Sequence, residues 1–120
     1  MMSAIGTKNI QKIRTAINRA ISVLDQHLKS KDTAAGNVED VLWSASEETE
    51  YAAAILSLTH GFTDFNPEVK DHSLLKADAE GRISSARSLL LDSERLLESN
   101  PRLSYEKLRY VVQILRTAKP

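Results

Sequence analysis

Apolar residues recur along this chain at steps of three and four, the spacing of amphipathic helices. The stripes predict helices over residues 7–30, 38–60, 74–99 and 105–118. Asn37 and Gly61 bound the second helix, and Asn100-Pro101 separates the last two, with Ser104 as the expected N-cap of the fourth. The predicted core positions of the first two helices are Ile10, Ile13, Ile17, Ala20, Ile21, Leu24, Leu28, Val38, Val41, Leu42, Ala45, Thr49, Ala52, Ala53 and Leu56.

The fold predicted from these stripes is an all-α, antiparallel up-down four-helix bundle that forms a single domain over residues 1–120. No segment alternates apolar and polar residues between hairpin signals, as paired strands would. Residues 62–73 are the least regular, and Asn66-Pro67 either ends or begins a helix there. We therefore leave open whether this segment is a loop or an extension of the third helix.

Composition is that of an ordinary globular protein, with 42% hydrophobic and 27% charged residues. The chain has no Cys, so it offers neither a disulfide nor a thiolate ligand or nucleophile. No apolar run has the length of a signal peptide or of a membrane span. We expect a cytoplasmic protein that does not contact a membrane.

Charge is sorted by segment although 16 acids and 16 bases cancel in total. Residues 32–68 carry 8 carboxylates and no Lys or Arg, whereas residues 1–31 and 100–120 are rich in bases. The second predicted helix is thus acidic, and the first and fourth are basic. Opposite charges on adjacent helices favour one packing arrangement over mispaired ones.

The second helix carries an apolar strip on the side opposite its core stripe. With about 100° per residue, the three apolar residues of this strip and two carboxylates fall within an arc of about 100° that faces solvent. The only Trp of the chain belongs to it, among carboxylates. Aromatic anchors surrounded by polar groups are typical of protein contact surfaces. The predicted partner-binding residues are Trp43, Glu47, Glu50, Tyr51 and Leu58.

The function predicted from this strip is a non-enzymatic protein-interaction or assembly module. Its partner is either a second copy of the chain or a different protein with a basic, apolar groove. Bases on the first and fourth helices could follow phosphates, but the net charge of zero and the lack of a recognition motif make nucleic acid an unlikely partner.

The three histidines do not have the spacing of a metal site. No two of His27, His60 and His72 lie four residues apart, and no Glu-x-x-His is present. We predict neither a metal nor a cofactor. His72-Ser73-Leu74-Leu75-Lys76 resembles the phosphoacceptor motif of histidine phosphotransfer domains, which are four-helix bundles of this size. Lys76 stands one residue late, and Ala77 replaces the Gly of that family.

A second resemblance supplies the enzymatic alternative. Glu47-Glu48-Thr49-Glu50, followed by Glu68-Val69-Lys70-Asp71, resembles the carboxylate pattern of all-α nucleotide pyrophosphohydrolases of the MazG type. The resemblance implies Mg²⁺ held by carboxylates of adjacent helices against a phosphate chain. The third Glu stands one residue early, with Tyr51 in its place, and Glu47 and Glu50 face away from the core.

Overall fold

The structure is a computed structural model that describes residues 6–29 and 38–116. Within them the regular structure is entirely helical, as the sequence predicts. Residues Ser30, Asn37 and Ala118, at which predicted helix ends or caps fall, lie outside the described residues. The helices are α1 (Thr7–Lys29), α2 (Val38–His60), α3 (His72–Lys76), α4 (Ala79–Leu96) and α5 (Pro101–Arg116).

The four longer helices pack around one hydrophobic core. α1 packs against α2 and α4, and α5 packs against the same two helices, so that acidic α2 lies between basic α1 and basic α5. Small residues on α2 allow close approach of its neighbours. The fully buried large side chains include Ile13, Ile17, Leu24, Leu56, Ile83, Leu90, Leu97, Leu108, Ile114 and Leu115.

The helix predicted over residues 74–99 is interrupted, which corrects that prediction. α3 ends at Lys76, and α4 begins after Asp78, whose carboxylate accepts a hydrogen bond of 2.8 Å from the backbone N–H of Gly81. A Cβ at Gly81 would lie 3.2 Å from that carboxylate and 3.1 Å from the Cβ of Ala77. Gly81 therefore fits a tight N-cap, and the apolar period continues across the break without revealing it.

The start of the last helix also differs from the prediction. α5 begins at Pro101, four residues earlier than expected, and the side chain of Asn100 accepts a hydrogen bond of 3.2 Å from Leu103 N–H. Proline is favourable at the first helical position because its missing N–H would have no helical partner. Ser104, the predicted N-cap, is buried one turn inside the helix and contacts Ser93 of α4.

Residues 61–71, which we call the crossing loop, run along α5 from Tyr105 to Gln113. Gly61 ends α2 in the left-handed conformation, with φ of 71°. Gln113 then holds the segment, since its Nε2 donates to Pro67 O over 2.8 Å and its Oε1 accepts from Val69 N–H over 2.9 Å. The irregular part of 62–73 is thus an ordered loop that is bonded to α5.

Ion pairs join the helices at their partly exposed edges. Arg14 of α1 contacts Glu94 and Glu98 at the end of α4, at 3.6 Å and 3.1 Å. Asp25, near the other end of α1, pairs with Arg87 of α4. Such exposed pairs contribute about 0–1 kcal/mol each and mainly favour one arrangement over others. No described helix is long and apolar enough to cross a membrane.

Candidate protein-contact surface

The apolar residues of the predicted strip are exposed along α2. Trp43 is 53% exposed, Tyr51 52% and Leu58 77%, the largest values among the large hydrophobic side chains described. Their neighbours on the inward side of the same helix are buried. We call the five residues Trp43, Glu47, Glu50, Tyr51 and Leu58 the α2 outer face.

Trp43 is held in place although half of it is in solvent. Its indole Nε1 donates a hydrogen bond of 2.9 Å to Oε2 of Glu47, one turn along the helix. The guanidinium of Arg116, from α5, lies 4.5 Å from the centroid of the indole ring. A cation over an aromatic face is attracted by the ring quadrupole. One edge and one face of the indole therefore contact the protein, and about half of the residue is exposed to solvent.

Arg116 is itself fixed by two residues of α2. Its Nη2 lies 2.8 Å from Oε1 of Glu50, and its Nε donates to Oγ of Ser46 over 3.1 Å. Ser46 in turn donates from Oγ to the backbone oxygen of Trp43 over 2.8 Å. Arg116 thus spans about two turns of α2, from Trp43 to Glu50, and orients Trp43. We call Trp43, Ser46, Glu47, Glu50 and Arg116 the tryptophan clamp.

Sequence reasoning missed Arg116 and Ser46 as members of this surface. The sequence places Arg116 only among the bases of the last predicted helix, since nothing in it sets the last turn of α5 beside Trp43. Ser46 is buried and was not assigned any role. One signal for this contact is present in the sequence. Because Glu47 and Glu50 lie on the outer side of α2, a basic helix beside α2 is expected to place an Arg or Lys next to them.

Tyr51 lies on the opposite flank of the α2 outer face. It lines an open groove between α1 and α2 together with exposed bases of α1. The clamp therefore faces α5, whereas Tyr51 faces α1. Leu58 follows Trp43 by 15 positions, or about 22 Å along the helix. The other residues that line the groove are Lys8, Gln11, Lys12, Thr15, Ala16 and Arg19.

Three of the carboxylates that resemble a pyrophosphohydrolase site have separate partners. Glu47 accepts from Trp43, Glu50 pairs with Arg116, and Asp71 caps α3. Ser73 donates to Asp71 from its hydroxyl and from its backbone N–H, which lowers the pKa of this carboxyl below its usual value. Among the described residues, no group of three His, Asp or Glu side chains is arranged to hold a metal ion.

The histidines lie apart, at separate places in the described structure. His27 is in the last turn of α1, and His60 stacks against Phe62 at the end of α2, with ring centroids 5.5 Å apart. His72 is exposed and begins α3, not one of the four longer helices. The residue that resembles a phosphoacceptor thus stands on a helix of five residues, beside the crossing loop.

One titratable group outside the α2 outer face has a strongly shifted pKa. The phenol of Tyr110 donates a hydrogen bond to Glu106, one turn earlier on α5. This bond to a carboxylate raises the pKa of Tyr110 from 10.0 to about 12, because ionisation would place two negative charges side by side. The pair belongs to the surface of α5 and has no partner-binding role assigned to it.

Comparison with protein-family models, with curated proteins and with solved structures finds no match to this chain.

Proposed function

We propose that this protein is a non-enzymatic protein-interaction or assembly module that binds its partner through the α2 outer face. One observation carries the proposal: the single Trp is half exposed, yet the hydrogen bond that it donates to Glu47 and the stacked guanidinium of Arg116 orient it. A residue that served only the core would be buried, and one without a role would lack such support. An oriented aromatic side chain is a typical anchor of a contact surface.

Orientation before binding favours affinity. Ordering a flexible side chain at an interface costs about 0.5–1.5 kcal/mol, and Trp43 loses part of that freedom in the unbound protein. Glu47 and the partly neutralised Glu50 surround the indole with polar groups. This arrangement, with an apolar centre and a polar rim, resembles that of protein contact surfaces in general.

We also infer that the four longer helices form a four-helix bundle in which packed neighbours are antiparallel. Between α1 and α4, Arg14 contacts Glu98 whereas Asp25 contacts Arg87, so positions rise along one helix as they fall along the other. α4 and α5 are joined by a connection of only four residues, 97–100, which favours an antiparallel pair.

The same relation supports an antiparallel α2 and α5. Glu50 pairs with Arg116, and Phe62, just beyond α2, contacts Tyr105, with ring centroids 5.2 Å apart. In this arrangement α2 and α4 run in the same direction, and residues 61–78 cross from one end of the bundle to the other. The inferred bundle therefore departs from the simple up-down order predicted from the sequence. We place the module in the cytoplasm, consistent with its lack of Cys.

Site-specific photo-crosslinking tests the function. Ala54 is exposed on α2 between Tyr51 and Leu58, so benzoylphenylalanine at this position would lie beside a bound partner. We expect a discrete covalent adduct in the native cells, and its loss in a Trp43→Ala background. Benzoylphenylalanine at Leu91, which is exposed on α4, is the matched control and should give none. No adduct at Ala54, or equal adducts at both positions, would contradict the proposal.

A further inference from the structure

We infer that the partner of the α2 outer face is a second copy of this chain, packed through the exposed sides of α1 and α2. This inference rests on the proposed function and adds the identity of the partner. We call the exposed sides of α1 and α2 together the α1–α2 face. Several charges on this face form no ion pair within the described residues of one copy, and a second copy can pair them.

Bases on one side of α1 find no acid within the described residues. Arg14, which is directed toward α4, pairs with Glu94 and Glu98. By contrast, three exposed bases directed toward α2 form no ion pair there, although they line the groove beside Tyr51. These three residues, which we call the basic half of the α1–α2 face, are Lys8, Lys12 and Arg19.

Acids on α2 are unpaired in the same way. Glu39 and Asp40, in the first turn of α2, are exposed and form no ion pair within the described residues. Glu47 accepts only the uncharged indole N–H of Trp43. We call Glu39, Asp40 and Glu47 the acidic half. Asp40 precedes Tyr51 by 11 positions, so this half extends about 17 Å along the helix from the groove.

The two halves are displaced along the helices, and this makes the face self-complementary. A two-fold axis perpendicular to the helices would set the basic half of one copy against the acidic half of the other, twice by symmetry. A basic partner would meet the acids but would be repelled by Lys8, Lys12 and Arg19. The total charge of zero removes long-range repulsion between copies.

The face is large enough for a stable pair. α1 and α2 each have 23 residues, so each is about 34 Å long. Two helices about 10 Å apart present a face of roughly 700 Å², close to the ~800 Å² per partner of a standard interface. Tyr51, near the middle of α2, is an exposed apolar residue at its centre, and Leu58 adds a second one in the last turn of the helix. Because charges dominate its rim, we expect self-association that weakens with salt.

Complementary charge reversal tests this inference by sedimentation equilibrium. We expect the wild type to approach the mass of a dimer, and Lys8→Glu/Lys12→Glu and Asp40→Lys/Glu47→Lys each to weaken self-association at least tenfold. An equimolar mixture of the two variants should regain the dimer mass, since each reversed half then meets its complement. Lys70→Glu/Lys76→Glu, outside the face and with the same change in charge, should behave as the wild type.

Several outcomes would overturn the second copy as partner. They are a wild type that stays monomeric at high concentration, reversed variants that dimerise normally, and a mixture that stays monomeric. Circular dichroism checks that each variant is folded. If a charge-reversed variant does not fold, the milder changes Lys12→Gln and Glu47→Gln are tested in its place. If the wild type is monomeric but benzoylphenylalanine at position 54 still crosslinks to another protein, only the self-association is refuted. A chain that is monomeric and forms no crosslink would refute the proposed function as well.

Discussion

The guanidinium of Arg116 lies over the indole of Trp43, so the last described turn of α5 covers a residue in the first half of α2. This contact joins the C-terminal helix to the only Trp of the chain. It also makes the fluorescence of that Trp a direct measure of the tryptophan clamp, since no second indole contributes.

Removing the arginine is expected to free the indole. Arg116→Ala abolishes the stacking, worth about 0.5–1 kcal/mol, and the exposed pair with Glu50, worth about 0–1 kcal/mol. We expect the free energy of unfolding to fall by about 1 kcal/mol, and quenching of Trp43 by acrylamide to increase. Arg95→Ala is the control, since the only ion pair of Arg95 within the described residues is with Asp92 of its own helix. Unchanged quenching in Arg116→Ala would mean that the guanidinium does not shield the indole.

Truncation of two leucines of α2 is expected to differ strongly in its effect on stability. Leu56 is fully buried, whereas Leu58 is 77% exposed. Leu56→Ala should lower the free energy of unfolding by about 2–5 kcal/mol through lost burial and the cavity left behind. Leu58→Ala should change it by less than about 0.5 kcal/mol. Denaturant unfolding of the two variants measures this difference, and similar costs would mean that α2 is rotated relative to the core.

The contact between Ser93 and Ser104 is expected to behave as a coupled pair. The two hydroxyl oxygens lie 2.8 Å apart, and each also lies near the backbone oxygen of the other residue, at 3.1 Å for Ser93 Oγ and 2.8 Å for Ser104 Oγ. Two hydroxyl protons are thus distributed over three contacts. Each single Ser→Ala change should cost about 1 kcal/mol, and the double variant less than the sum. Ser88→Ala, exposed on α4, serves as the control. Strict additivity in a double-mutant cycle would argue against the coupling.

Alkaline titration should reveal Tyr110. Its pKa of about 12 in the folded protein lies above the ordinary 10.0, so folding retains its proton. The stability that this provides is complete below pH 10 and is lost as the pH rises through about 12. We expect tyrosinate absorbance of the folded protein to include a step near pH 12 that Tyr110→Phe removes and Tyr51→Phe retains. A step that survives Tyr110→Phe would assign the shift to another phenol.

Divalent metal is expected to leave the protein unchanged. The carboxylates of the pyrophosphohydrolase alternative do not converge within the described residues, so millimolar Mg²⁺ or Mn²⁺ has no site there at which to stabilise the fold. Thermal melting with and without metal measures this, with Ca²⁺ as a control for ionic strength. A rise in Tm with Mg²⁺, accompanied by release of pyrophosphate from nucleotides, would favour the enzymatic alternative.

Periodicity predicted the long helices because each has one face in the core. α2 spans Val38–His60, as its stripe and its bounding Gly61 indicate. Periodicity did not predict the break before Asp78, since the apolar spacing continues through it and only the pair of Asp78 and Gly81 marks the cap. Ser104 is a residue type that often caps a helix, but here it is buried inside α5 and its hydroxyl contacts Ser93 of α4.

The exposed strip of α2 could be predicted for the same reason as its core stripe, since both depend on a single helix. The tryptophan clamp could not, because it requires knowing which helix lies beside Trp43. The path of the crossing loop determines which helices pack beside α2. This path is fixed by hydrogen bonds to Gln113, and the spacing of apolar residues in the sequence does not predict such bonds.

The crossing loop has a further consequence, since it divides the chain into two helix pairs of similar size. α1 and α2 contribute one half of the core, and α4 and α5 contribute the other. The chain connects the two pairs through residues 61–78, which comprise the crossing loop, α3 and the two residues before α4. A backbone cut in this loop would leave both halves of the core intact on separate polypeptides. The protein is thus suited to reconstitution from two fragments, with the regained Trp43 contact to Arg116 as the signal of their assembly.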